Sequence, residues 1–171
     1  GNAEMGGLLL PRFLGRRPQD VRGVLDRVVK RTASAQTSSS TVLADITGMA
    51  LTVPANTTAE IRLLLAFRTP VITTGIAIGW THSGFSRIAA VVRAHTGADG
   101  TGGERQGALT VSGDSVVTVG VTEADTDFIA EAVGMATTGS SPATVQFQFA
   151  SEVALSSVTL QAPVIGIMAP L

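Results

Sequence analysis

Glu123, Asp125 and Asp127 put three carboxylates on alternate positions of the stretch EADTD. Calcium takes oxygen ligands from alternating loop positions, so these three could converge on one ion. The glycine and terminal glutamate of an EF-hand loop are missing, however. The expected role is a solvated turn ahead of a strand at Phe128, with a calcium site as the alternative. The two histidines offer less. His82 follows the strand end Trp80-Thr81, and His95 opens a glycine-rich stretch. No pattern brings either to a serine and an aspartate as a nucleophilic triad requires, so both are expected to be structural or solvent-exposed.

The stretch GADGTGG, residues 97–103, has the glycine content of a phosphate-cradling loop. It lacks Gly-Lys-Ser/Thr, and no helical pattern follows to supply a dipole. Asn56-Thr57-Thr58 is formally a glycosylation acceptor, yet a tight turn between strands needs the same residue types. Trp80 is the one tryptophan and tyrosine is absent, so a packing role is expected rather than a sugar-stacking platform. Cysteine is absent too, which excludes a disulfide framework, a thiolate metal site and a cysteine nucleophile. No catalytic residue, metal ligand or cofactor is expected.

Apolar residues make up 44% of the 171 residues while charged ones reach only 15%, against roughly 25% in an ordinary domain. A surface so poor in charge needs covering by neighbours, which hints at oligomer or lattice contacts. The longest apolar stretches, 63–67 and 164–171, fall far short of the ~20 residues that span a bilayer. Residues 1–14 have no basic region ahead of their leucines and are not expected to be a signal peptide. Charge is uneven along the chain: residues 1–40 carry seven basic and three acidic side chains, the remainder five and ten. A basic arm on an acidic body is expected to dock on something negative. An acidic protein neighbour fits better than nucleic acid, because the charge is almost all arginine and is interspersed with acids.

The elements that must position these residues fall into two expected domains, 1–40 and 41–171. Residues 1–17 form an irregular arm containing Leu8, Leu9, Leu10, Pro11 and the Phe13-Leu14 pair. Residues 18–31 have the pattern of a short amphipathic helix. Pro18 suits its first position, Asp20 its first turn, and Val21, Val24, Leu25, Val28 and Val29 make one apolar stripe. About four turns cannot stand alone in water. The helix is expected to pack on the β body or to join copies of itself around a symmetry axis. Residues 32–40, TASAQTSSS, are a polar linker with nothing to bury.

From Thr41 onward short β-like runs alternate with turn residues. Strands are expected over 41–45, 49–53, 59–67, 71–80, 86–93, 108–111, 115–121, 128–136, 143–151 and 157–167, with 95–107 a surface loop. The clearest is Val145-Gln146-Phe147-Gln148-Phe149, whose strict alternation sets three apolar side chains on one face. Ten short strands argue for a mainly β, antiparallel sandwich or jelly-roll-like domain. It is expected to fold without residues 1–40. The strand EIRLLLAF, 60–67, is expected to run into the middle of a sheet buried on both faces or covered by a partner.

Lys30, Thr32, Ala33, the Ser-Ser-Ser-Thr run 38–41, Leu43, Asp45, Thr47, Leu51, Val53, Ala55, Asn56 and Thr57 follow a recurrent pattern. A lysine-led polar linker enters a strand pair that turns at Ala-Asn-Thr. Near the end, FQFASEVALSSVTLQAPVIGIM has two long strands joined by an Ala-Ser-Glu-Val turn. Over residues 30–168 the chain thus resembles a β domain of tailed-bacteriophage structural proteins. Ala59 and Thr52 stand where that family usually has aromatics.

The resemblance implies a non-enzymatic virion protein, a tail, tail-fibre or capsid-decoration component assembled in the bacterial cytoplasm. It carries no catalytic residues over. Trimeric relatives imply a homotrimer, with major capsid or tail proteins as further partners. The assembly interface is expected at Leu8, Leu9, Leu10, Arg12, Phe13, Arg16, Arg17, Val21, Val24, Leu25 and Val28. The alternative is a receptor- or glycan-binding tip module that meets a host-surface glycan. A depolymerase would need paired carboxylates in an aromatic-lined groove, and aromatics are only 4%.

Overall fold

The computed structural model describes residues 27–97 and 103–171. Among them are eleven strands and no helix: β1 Val28–Arg31, β2 Gln36–Ser38, β3 Ala44–Val53, β4 Thr58–Arg68, β5 Ile76–Ser83, β6 Phe85–His95, β7 Glu104–Leu109, β8 Ser115–Val117, β9 Phe128–Thr138, β10 Ala143–Ser151 and β11 Val158–Pro170. A seven-stranded sheet runs β1-β11-β4-β9-β6-β7, with β2 also paired to β11. A four-stranded sheet runs β3-β10-β5-β8. Every pairing is antiparallel. The inner faces of the two sheets share one hydrophobic core. This is the antiparallel β-sandwich that the run of short alternating strands predicts.

Alternation explains which side chains meet. Val145, Phe147 and Phe149 of β10 are buried, and so are Ala59, Ile61, Leu63, Leu65 and Phe67 of β4. Phe147 packs on Trp80 of β5 with ring centroids 6.4 Å apart. Trp80 is fully buried and donates its indole N–H to the Val111 carbonyl at 2.9 Å. Burial of an aromatic body with its one polar group satisfied is a packing role, and it removes Trp80 as a sugar platform. On β9 the inward positions are small, Ala130, Ala132 and Ala136. A Cβ on Gly134 would collide with the Ala89 carbonyl and with Ala90 on β6.

Several expectations need correction. The helix over 18–31 does not extend to its last residues, because Val28–Arg31 pair with Met168–Ile165 of β11 as a strand. The β-branched Val28-Val29 pair suits a ladder, and an available sheet edge overrides a helical stripe. Residues 18–26 lie outside those described. The expected linker 32–40 contains β2, so pairing begins at Val28 rather than at residue 41. Its polar side chains serve the edge. Thr37 bonds Thr159 hydroxyl to hydroxyl at 2.8 Å, and the Ser39 and Ser40 carbonyls accept from the amides of Leu155 and Ser151.

Of the strands expected at 41–45 and 49–53, residues 41–43 are not strand and the rest form one strand, β3, interrupted by a bulge against β10 in which Gly48 takes a φ of 84°. Gln36 of β2 spans this bulge: its Oε1 accepts from Thr47 N–H at 2.8 Å and its Nε2 donates to the Thr47 carbonyl at 3.4 Å. Gln146 of β10 donates to the Ile46 carbonyl at 3.1 Å. Two side-chain amides thus satisfy backbone groups that the ladder leaves behind. Residues 71–75, expected as strand, are turn and coil, while 104–107 of the expected loop belong to β7.

Candidate functional site

The outer face of the seven-stranded sheet is open, and its side chains follow from the strand registers. Arg62, Val133 and Val91 lie side by side across β4, β9 and β6, and so do Leu64, Glu131 and Arg93. Glu60, Met135 and Ala89 make a third row. Ile167 and Ile165 of β11 extend the first two rows, and Val29 and Arg31 of β1 end them.

Charge on this face forms a chain across four strands. Arg62 meets Glu60 at 3.6 Å and Glu131 at 3.7 Å, while Arg93 meets Glu131 at 3.8 Å and Glu104 at 4.0 Å. All five side chains remain partly exposed, so the network contributes about 1 kcal/mol or less per pair and is weakened by salt. Its larger effect is to fix where charge lies. Around it stand Met135, 54% exposed, Ile129, 48%, and Leu64, 44%. The ladder has three carboxylates and two guanidinium groups and keeps one negative charge, so its flanking apolar side chains suit a protein partner that covers them and brings a cation.

Of the two alternatives expected for β4, burial on both faces falls and cover by a partner is left. The strand sits mid-sheet but is buried on one face only, and Leu64 stands on the outward phase with Glu60 and Arg62. The outward residues Leu64, Ile129 and Met135 were not expected as interface residues. Their signal is an apolar residue on the polar phase of an alternating strand, which shows in EIRLLLAF only once the phase is fixed.

Of the expected assembly residues, Leu8, Leu9, Leu10, Arg12, Phe13, Arg16, Arg17, Val21, Val24 and Leu25 lie outside those described. Val28 is an edge-strand residue facing Met168. Two of the three EADTD carboxylates have separate partners. Asp127 accepts from Arg68 Nε at 2.9 Å, and Glu123 accepts from the Thr126 hydroxyl at 3.3 Å. Asp125 adopts a φ of 55° in the turn. Among the described residues no three His, Asp or Glu side chains form a group able to hold a metal ion.

His82 is a structural histidine with a pH consequence. Its ring packs edge-on against Trp80 and Phe85, with centroids at 5.4 and 5.9 Å. Nε2 is buried with no hydrogen-bond partner. Burial lowers its pKa below the usual 6.5, and the nearby Asp114 charge opposes this only in part. The unfolded chain therefore binds the proton more readily. His82's contribution to stability is complete above about pH 6.5 and is lost as pH falls from there through the folded pKa. Thermal melts at about pH 7.5 and about pH 5.5 are expected to show a steeper acid loss in the wild type than in His82→Gln. Equal slopes would remove His82 as the source.

No protein-family description matches the sequence, and no characterised protein matches it by sequence. Solved structures give distant matches. A chain from infectious bursal disease virus, Gt strain, is 17% identical at a TM-score of 0.23, over 85% of this chain and 42% of its own. The VP2 subviral particle of the same virus is 15% identical at a TM-score of 0.24, over 84% of this chain and 39% of its own. The chain spans about two fifths of the length of these structures. TM-scores of this size carry no argument about function or ancestry.

Proposed function

We propose that the protein is a non-enzymatic structural component of a bacteriophage particle, a tail, tail-fibre or capsid-decoration protein, which assembles as a homotrimer. The observation that carries this reading is the open sheet face, where Leu64, Ile129 and Met135 surround the ladder from Glu60 to Glu104. A low proportion of charge supports it, since a lattice or oligomer covers surface that a free monomer must keep wet. The sequence resemblance to tailed-phage β domains supports the particle assignment, and the leucines and arginines expected at the interface in residues 8–25 would tether the protein to a neighbour.

The test is incorporation. Leu64→Asp combined with Met135→Asp changes only outward positions, so circular dichroism is expected to stay β-rich. The variant is expected to be missing from purified particles that contain the wild type. Retention at wild-type copy number, or absence of the wild type itself from particles, would overturn the reading.

A further inference from the structure

The outward row that starts where the chain enters the large sheet ends in an apolar hollow. Val28 pairs with Met168, which sets Arg27 beside Ala169, at the head of the row Glu60, Met135 and Ala89. Past Met135, the small residues Ala89, Ala108 and Gly134 leave a shallow hollow walled by Val91, Val133 and Met135. Beside it Arg62 and Arg93 are shared among Glu60, Glu131 and Glu104, and one carboxylate charge is left over. An occupant that suits this face brings apolar side chains and, farther from β1, a cation.

The chain leading into β1 has this order. In residues 16–25, RRPQDVRGVL, the apolar Val21, Val24 and Leu25 stand nearer Arg27, and Arg16 and Arg17 stand farther away. Reach fits as well. Met135 on β9 is three strand spacings from β1, ~14 Å. The six residues from Val21 to Arg27 span ~9 Å as helix and ~20 Å when extended. Glu104 on β7 is five spacings away, ~24 Å. The ten residues from Arg17 to Arg27 span ~15 Å to ~35 Å.

We propose that residues 16–25 of the same copy cover this face in the free protein. Val21, Val24 and Leu25 lie over Met135 and the hollow, while Arg16 and Arg17 meet the carboxylates from Glu131 to Glu104. A tethered segment acts at an effective concentration on the order of 1 mM, so it outcompetes the same segment of a second copy. The face of a second copy is the wrong occupant, because it would set one carboxylate excess against another. One part of the contact rests on the assembly role proposed above. In a particle the neighbour takes the face, and the displaced segment is free to tether the protein.

The chain has no cysteine, so an introduced pair reports without interference. Val21→Cys with Met135→Cys, in the full chain at low concentration with glutathione disulfide, is expected to form a disulfide within one chain as the main product. Val21→Cys with Thr144→Cys, outward on the other sheet, is expected to form little. Adding Arg16→Glu and Arg17→Glu to the first pair is expected to lower its yield severalfold. No disulfide, a disulfide between chains, equal capture at Thr144, or a yield indifferent to the charge reversal would overturn the cover and leave the particle reading standing. The locked chain is then mixed with particles assembled without the protein, and it is expected to bind only after reduction. Equal binding of locked and reduced chains would overturn the exchange. Failure of both to bind would sink the particle reading while the cover stands.

Discussion

Phe147→Ala is expected to lower the unfolding free energy by about 3–5 kcal/mol. Phe147 is fully buried on the middle strand of three, since β10 pairs with β3 on one side and β5 on the other. Truncation leaves a void against Trp80, whose own position is held by the bond to Val111. The backbone around it is pinned by two ladders, so the cavity cannot easily collapse. The neighbouring Gln146 is a different case. On alternation alone, Gln146→Ala should have little effect. Its amide, however, donates to the Ile46 carbonyl in the β3 bulge and to the Phe147 carbonyl at 2.7 Å. A loss of about 1 kcal/mol is expected there. Urea unfolding of the two variants checks the contrast, and equal losses would mean that Phe147 does not sit in the core.

Truncation at residue 41 is expected to destabilise the protein by roughly 3 kcal/mol or more, whereas truncation at residue 27 leaves every described pairing intact. The shorter chain lacks β1 and β2, which leaves the β11 edge without its ladder partners from Val158 to Leu160 and from Ile165 to Met168. It also lacks Gln36, so the Thr47 amide and carbonyl in the β3 bulge lose their partner. Thr32 goes too, with its hydroxyl bond to the Val164 amide at 2.9 Å. The melting temperature is expected to fall by about 10 °C. Amide exchange should become fast for those β11 amides that face β1 and β2, while those bonded to β4 stay protected. Equal melting temperatures for the two truncations would show that β1 and β2 contribute no stability.

The parts of this fold legible in the sequence are those where one face is buried and the other wet. β4, β9 and β10 show a two-residue period because the core demands it of every second side chain. β1 and β2 were hidden for a physical reason. An edge strand needs only backbone groups and a few hydroxyls or amides, and TASAQTSSS supplies these while offering nothing to bury. The Val28-Val29 pair fitted a helical stripe equally well, and only the partner on β11 decides between them. The outward patch was hidden because Leu64, Ile129 and Met135 are unremarkable singly. Register across three strands brings them together, and register is a tertiary property.

The antiparallel pairing of β1 with β11 makes the molecule's mechanical strength depend on the direction of load. Tension between the arm and residue 171 pulls Val28 and Met168 apart at the same end of the ladder, so the bonds from Val28 to Arg31 break one after another like a zipper. Tension between the arm and the opposite pole runs parallel to the strands and loads those bonds together in shear, along with the clamp of Thr32 on Val164. An arm gripped by a neighbour therefore resists stretching along the sandwich axis and peels readily when lifted sideways from the sheet.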